Sequence, residues 1–88
     1  MADSYDVQIT VVSQKGSCGA GHKVGDKWIV GGTTPSGICN EAYHMLYPNL
    51  RNYKFGGILP WTQDQDSTQV CCNDPINPVV FELKRIRK

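Results

Sequence analysis

Four cysteines and two histidines are the side chains of this sequence best suited to chemistry. Thiolates and imidazoles are the preferred ligands of zinc and of iron–sulfur clusters, and a thiolate is also a nucleophile. The spacing lacks the C-x-x-C knuckle of zinc ribbons. Each cysteine instead lies where a predicted element ends, and the ends of elements can meet on one side of a small sheet. The candidates are Cys18 and His22 in a glycine-rich loop, Cys39 at a helix start, His44 further along that helix, and Cys71 and Cys72 at a strand end.

The elements that would position these side chains are four strands and one helix. Alternating apolar residues predict strands at 6–12, 26–30, 68–72 and 79–84. A helix is predicted from Ile38 or Cys39 to Tyr47, ended by Pro48, and residues 51–65 are predicted to be irregular but packed onto the body. The fold class is therefore α+β: a small antiparallel sheet or partly open β-barrel of about four strands with one short helix packed on it. We expect residues 1–88 to form a single metal-binding domain.

Cys39 and Cys18 have the most informative settings. A thiolate at a helix N-terminus meets unpaired N–H groups and the positive end of the helix dipole, which suits a metal ligand or a nucleophile. A small buried hydrophobic residue is the alternative for Cys39. Four glycines between Lys15 and Gly25 let the backbone near Cys18 approach a bulky group and direct N–H donors at its sulfurs. A tight hairpin that happens to contain Cys18 is the alternative there.

Geometry ranks the remaining candidates. Strand alternation sends Cys72 inward and Cys71 to the opposite face, so we expect Cys71 to be a bystander. On a helical wheel His44 points about 140° away from Cys39, which indicates a supporting or surface role. His22 shares the loop of Cys18 and is the better fourth ligand, with an ordinary surface imidazole as the alternative.

Length, charge and hydropathy limit the partners. A chain of 88 residues can build only one small core, which a bound metal would help to stabilise. The net charge of +1 argues against a nucleic-acid partner. No apolar run approaches the ~18 residues of a membrane span, and Met1 to Asp6 lack the features of a signal peptide. We therefore expect a cytoplasmic protein with no membrane partner, whose thiols stay reduced.

Three strings of the sequence resemble a largely uncharacterised family of small stand-alone prokaryotic proteins of about this length. They are SCGAGHKVGDKW, PSGICNEAYHMLYP and CNDPINPVVFELKRI, against a family pattern of C-P-A-G-H-K-x-G-D, G-I-C-x-x-A-x-H-x-L-Y-P and C-P-D-P-x-N-P-V-V-F-E. The resemblance covers almost the whole chain. It places Cys71 where the family usually has another residue, whereas Gly19 and Asn73 replace prolines that often follow cysteine in the family. It implies that the three cysteines and two histidines of the family are Cys18, Cys39, Cys72, His22 and His44.

The three cysteines that match those of the family pattern predict an iron–sulfur protein. Cys18, Cys39 and Cys72 would bind a [4Fe–4S] cluster, with one iron open or ligated by His22. Such a site could transfer electrons or act as a Lewis acid, with an unidentified redox partner or a small-molecule ligand at the open iron. Whether the protein is an enzyme is left open by the sequence.

Three other functions fit the same residues. A Cys3His zinc site would be closed and structural. A metal-free protein would use Cys39 as a reactive thiol. A binding module would use exposed aromatic side chains near Tyr53, Phe55 and Trp61. The oligomeric state is also open, and a homo-oligomer could bury the site between copies.

Overall fold

The structure, a computed structural model, describes residues 4–87 as an open four-stranded sheet with one helix across one face. The elements are β1 (Val7–Gln14), β2 (Lys27–Val30), α1 (Asn40–Lys54), β3 (Ser67–Cys71) and β4 (Val79–Arg85). All neighbouring strands are antiparallel, in the order β2-β1-β4-β3. The predicted α+β class with a small open sheet is confirmed. Within residues 4–87 no helix is long and apolar enough to cross a bilayer.

Alternation along β1 and β4 builds the sheet side of the core. Ile9 pairs with Leu83 and Val11 pairs with Phe81, so their side chains leave the same face and are buried beneath α1. The register shifts between Val11 and Ser13, a β-bulge that lies just before the glycine-rich loop. The predicted strands agree with the observed ones to within two residues at each end.

Helix α1 is longer than predicted. The prediction that Pro48 ends it was wrong, because the helix runs through Pro48 to Lys54 and includes the first residues of the segment predicted to be irregular. Pro48 lies on the exposed face, where water can solvate the carbonyl that the proline ring leaves without a partner. Beyond it, Leu50 and Tyr53 are buried on the same face as Leu46, and this burial outweighs the local cost of proline.

The segment between α1 and β3 is fastened to the sheet by Arg85. The buried guanidinium donates to the carboxylate of Asp66 at 2.9 Å and to the carbonyl oxygens of Gly57 and Gln65 at 2.7 and 2.9 Å. The segment therefore packs onto the body, as predicted.

The aromatic surface predicted as a binding module is incomplete. Tyr53 is fully buried, whereas Phe55 and Trp61 are exposed. The prediction that Tyr53 belongs to an exposed aromatic surface was therefore wrong, because Tyr53 is part of the apolar face that α1 turns toward the sheet.

Candidate functional site

A cavity of about 360 Å³ lies at the N-terminal end of α1. It is bordered by the glycine-rich loop after β1 and by the turn between β3 and β4. Three of the four free cysteines line it, each partly buried, whereas Cys71 is exposed and lies outside the lining. The three that the structure brings together are Cys18, Cys39 and Cys72.

Cys39 is the N-cap of α1 and has an extended backbone conformation, with φ −61° and ψ 134°. Its side chain makes no capping hydrogen bond, so the N–H groups of the first helical turn have no side-chain partner from this residue. Because Cys39 is not itself helical, a wheel drawn from it misplaces its neighbours. Glu41, which such a wheel puts on the far side, lines the same cavity as Cys39.

His22 is buried in the cavity wall and supports Cys39. Its Nε2 atom accepts a hydrogen bond from the backbone N–H of Cys39 at 3.0 Å. The imidazole ring meets the rings of Trp28 and Phe81 edge-on, with centroid distances of 5.1 and 6.0 Å. An accepting Nε2 carries no proton, so the neutral ring holds its proton on Nδ1.

Cys18 is positioned by contacts between its loop and the turn after Cys72. The side-chain oxygen of Asn77 accepts the backbone N–H of Ser17 at 2.9 Å. The backbone of Gly16 has a φ of +67°, and a Cβ on it would overlap the Asn77 side chain. Glycine at position 16 therefore meets two needs at once, a left-handed backbone and close approach to Asn77.

Cys72 follows the last residue of β3 and faces the cavity. Its backbone N–H donates to the carbonyl of Val79 at 2.9 Å, and its Sγ accepts the N–H of Val79 at 3.3 Å. Cys71 points to the opposite face of the sheet, in agreement with the predicted alternation. Partial desolvation and the neighbouring Cys72 thiol raise the pKa of Cys71 above its ordinary value, which keeps this side chain protonated.

Polar residues of the cavity wall were missed by sequence reasoning. Asp74 forms the β3–β4 turn, because its Oδ1 accepts the backbone N–H groups of Asn77 and Ile76. These two hydrogen bonds stabilise the carboxylate and lower the pKa of Asp74. Asn73 donates from Nδ2 to Oε1 of Glu41 at 3.3 Å. Their closeness in sequence to candidate cysteines could have indicated these residues, since Glu41 is two residues from Cys39 and Asn73 directly follows Cys72.

His44 lies apart from the cavity, on the exposed face of α1. In the part of the chain that the structure describes, no three Cys, His, Asp or Glu side chains are arranged to hold one metal ion. A second, smaller cavity of about 220 Å³ lies between α1 and the β1–β2 edge. Its cationic wall includes Lys54, whose Nζ already donates to the carbonyl of Gly31 at 2.7 Å, and it contains none of the cysteines.

No protein-family model, curated protein or solved structure matches this chain. What this chain does is therefore inferred from the chemistry of its cysteine-lined cavity.

Proposed function

We propose that this chain is a small iron–sulfur protein whose Cys18, Cys39 and Cys72 bind a [4Fe–4S] cluster. The observation that carries the proposal is that three cysteines from three separate segments line one cavity while the fourth lies outside it. Thiolate sulfur is the usual ligand of such clusters, and three of them leave one iron for another ligand.

The size of the cavity favours a bulky group over a single ion. Its volume of about 360 Å³ falls within the ~300–1,000 Å³ of ordinary ligand sites, whereas one water needs roughly 30 Å³. Gly19 adds to the free space, because nothing among the described residues lies within 4 Å of where its Cβ would be. A cluster places several irons and sulfides between its cysteines, so it suits ligands that surround a cavity.

Hydrogen-bond donors near the sulfurs also support a cluster. The N–H of Val79 already donates to Sγ of Cys72. The N-terminus of α1 lies beside Cys39 and provides further N–H groups and the positive end of the helix dipole. Donors of this kind stabilise thiolate charge and tune the reduction potential of a bound cluster.

Each part of the site has a role in this proposal. A bound cluster would supply electron transfer, or a Lewis-acidic iron toward a small molecule at its open position. The three cysteines hold it, His22 fixes the backbone of Cys39, and Phe81 and Val79 form an apolar part of the wall that excludes water. We also infer a cytoplasmic location with an unidentified redox partner, since reducing surroundings keep ligand cysteines available.

A structural zinc site is the second candidate. The observation that favours it is the presence of His22 in the same wall as the three cysteines, where it would complete a Cys3His set by giving up the hydrogen bond that it accepts from Cys39. Zinc and a cluster are distinguished by purifying the protein without oxygen and measuring iron, inorganic sulfide and zinc. We expect brown protein with about four irons and about four sulfides per chain. Colourless protein with one zinc per chain would support the zinc site and contradict the cluster. Folded protein free of both metals would contradict both proposals.

A further inference from the structure

The cavity wall contains five side chains, besides its cysteines, with lone pairs that could ligate iron. Three thiolates leave one iron of a [4Fe–4S] cluster without a cysteine. The hydrogen bonds of these five side chains decide which of them is free to bind it. They are His22, Glu41, Asn73, Asp74 and Asn77.

His22 has no free lone pair in this arrangement. Its Nε2 lone pair accepts the N–H of Cys39, and its Nδ1 carries the proton. If Nδ1 bound iron, its proton would have to move to Nε2. A protonated Nε2 is itself a donor, so it could no longer accept the N–H of Cys39. Either nitrogen can bind iron only if the hydrogen bond that supports Cys39 is lost, which would leave the partly buried N–H of Cys39 without this partner.

Asp74 and Asn77 are occupied by the turn that they build. Oδ1 of Asp74 accepts two backbone N–H groups, and its Oδ2 accepts Nδ2 of Asn77 at 3.3 Å. The oxygen of Asn77 accepts the N–H of Ser17. Turning either side chain toward a ligand would undo the contact between the Cys18 loop and the β3–β4 turn.

Glu41 is different because one of its carboxylate oxygens is free. Oε1 accepts the amide of Asn73, and Oε2 has no hydrogen-bond partner within residues 4–87. The side chain is exposed and belongs to the first turn of α1, so it can rotate toward the cavity without unfolding anything. A carboxylate oxygen is also a far better iron ligand than the neutral amide of Asn73.

We propose that Glu41 supplies the fourth ligand of the cluster and that His22 is a positioning residue. The inference rests on the proposed iron–sulfur function and names the ligand that the function leaves open. The hydrogen bond from Asn73 to Glu41 would then have a structural role, because it holds the carboxylate at the cavity beside Cys72.

The test compares Glu41→Gln with Glu82→Gln in whole protein reconstituted without oxygen using ferrous iron and sulfide. Glu82 is the only other glutamate, and it lies on the strand face opposite the core, so its replacement is a matched control. Iron content is measured before and after mild oxidation with ferricyanide, and the electron paramagnetic resonance spectrum of each reduced protein is recorded.

We expect ferricyanide to release about one iron per cluster from Glu41→Gln, and much less from the wild type and Glu82→Gln, with a changed spectrum only in Glu41→Gln. Equal iron release and identical spectra in Glu41→Gln and the wild type would overturn the assignment of Glu41 while leaving the cluster itself established. A wild type that takes up no iron would overturn the proposed function together with this inference.

Discussion

The Nε2 atom of His22 accepts a hydrogen bond from the backbone N–H of Cys39, which lies 17 positions further along the chain. This bond joins the glycine-rich loop to the start of α1, and so it fixes two of the three cysteine-bearing segments against each other. Because both partners are at least partly buried, water cannot easily replace the acceptor. This contact is the basis for the proposal that His22 supports Cys39 rather than binding iron.

His22→Gln and His22→Phe separate those two roles. The amide oxygen of glutamine can occupy the place of Nε2 and accept the Cys39 N–H, whereas phenylalanine fills the space and offers no acceptor. We expect His22→Gln to bind iron nearly as the wild type does, and His22→Phe to lose about 1–3 kcal/mol of unfolding free energy together with much of its iron. Urea unfolding and iron analysis measure both effects. Equal iron loss in the two variants would instead identify His22 as a ligand.

Asp66 couples stability to pH through Arg85 and Arg87. Desolvation raises the pKa of Asp66, but the hydrogen bonds from both arginines outweigh it and leave this pKa below the ordinary value of 3.8. A lowered pKa in the folded state stabilises the protein above the unfolded-state value, and this contribution is lost as pH falls below about 4 and through the folded-state pKa.

Asp66→Asn should therefore be less stable at pH 6 and should lose less stability on acidification than the wild type. We expect a loss of about 1–3 kcal/mol at pH 6, kept modest by the partial exposure of Asp66, whose side chain is 22% accessible. Urea unfolding between pH 6 and about pH 2 measures the free energy of unfolding of each protein, with Glu82→Gln as the control. An acid response identical to that of the wild type would show that Asp66 is not a source of the pH dependence.

Pro48→Ala tests the reason why α1 continues past the proline. Alanine restores an N–H that can donate to the carbonyl of His44, at an exposed position where the change leaves no cavity. We expect a gain of about 1–3 kcal/mol in unfolding free energy, measured by urea unfolding and helical circular dichroism. His44→Ala on the exposed face of the same helix should change stability by about 0.5 kcal/mol or less. A loss of stability in Pro48→Ala would mean that the proline is needed for the path of the helix.

Alternation and turn residues were enough to predict the four strands and the separate position of Cys71. The end of α1 could not be predicted locally, because the rule that proline stops a helix ignores the burial of Leu50 and Tyr53 against the sheet. The position of Glu41 was missed because the helical wheel treated the N-cap Cys39 as a helical residue.

The sequence predicted only that the three cysteines could meet, because each lies where a predicted element ends. What holds the segments together is a set of contacts between residues far apart in sequence, such as Asn77 with Ser17 and His22 with Cys39. Sequence periodicity carries no information about such bonds, since each depends on side chains of irregular loops.

Gly16→Ala tests whether the position of Cys18 depends on the Asn77 contact. A Cβ at position 16 would strain a left-handed backbone and displace the Asn77 side chain from Ser17. We expect a loss of about 1–2 kcal/mol in unfolding free energy and a clear loss of iron binding. Gly32→Ala is the control, because its Cβ would meet no atom of residues 4–87 within 4 Å. Unchanged iron content in Gly16→Ala would contradict the role given to this contact.

The most direct test of the cysteine site is the iron content per chain of Cys71→Ser and Cys72→Ser after anaerobic purification. The two positions are adjacent in sequence, but Cys72 lines the cavity and Cys71 faces away from it. We predict that Cys72→Ser, like Cys18→Ser and Cys39→Ser, loses nearly all of its iron, whereas Cys71→Ser keeps the iron of the wild type. Equal iron loss from Cys71→Ser and Cys72→Ser, or a wild type without iron, would contradict the three-cysteine cluster.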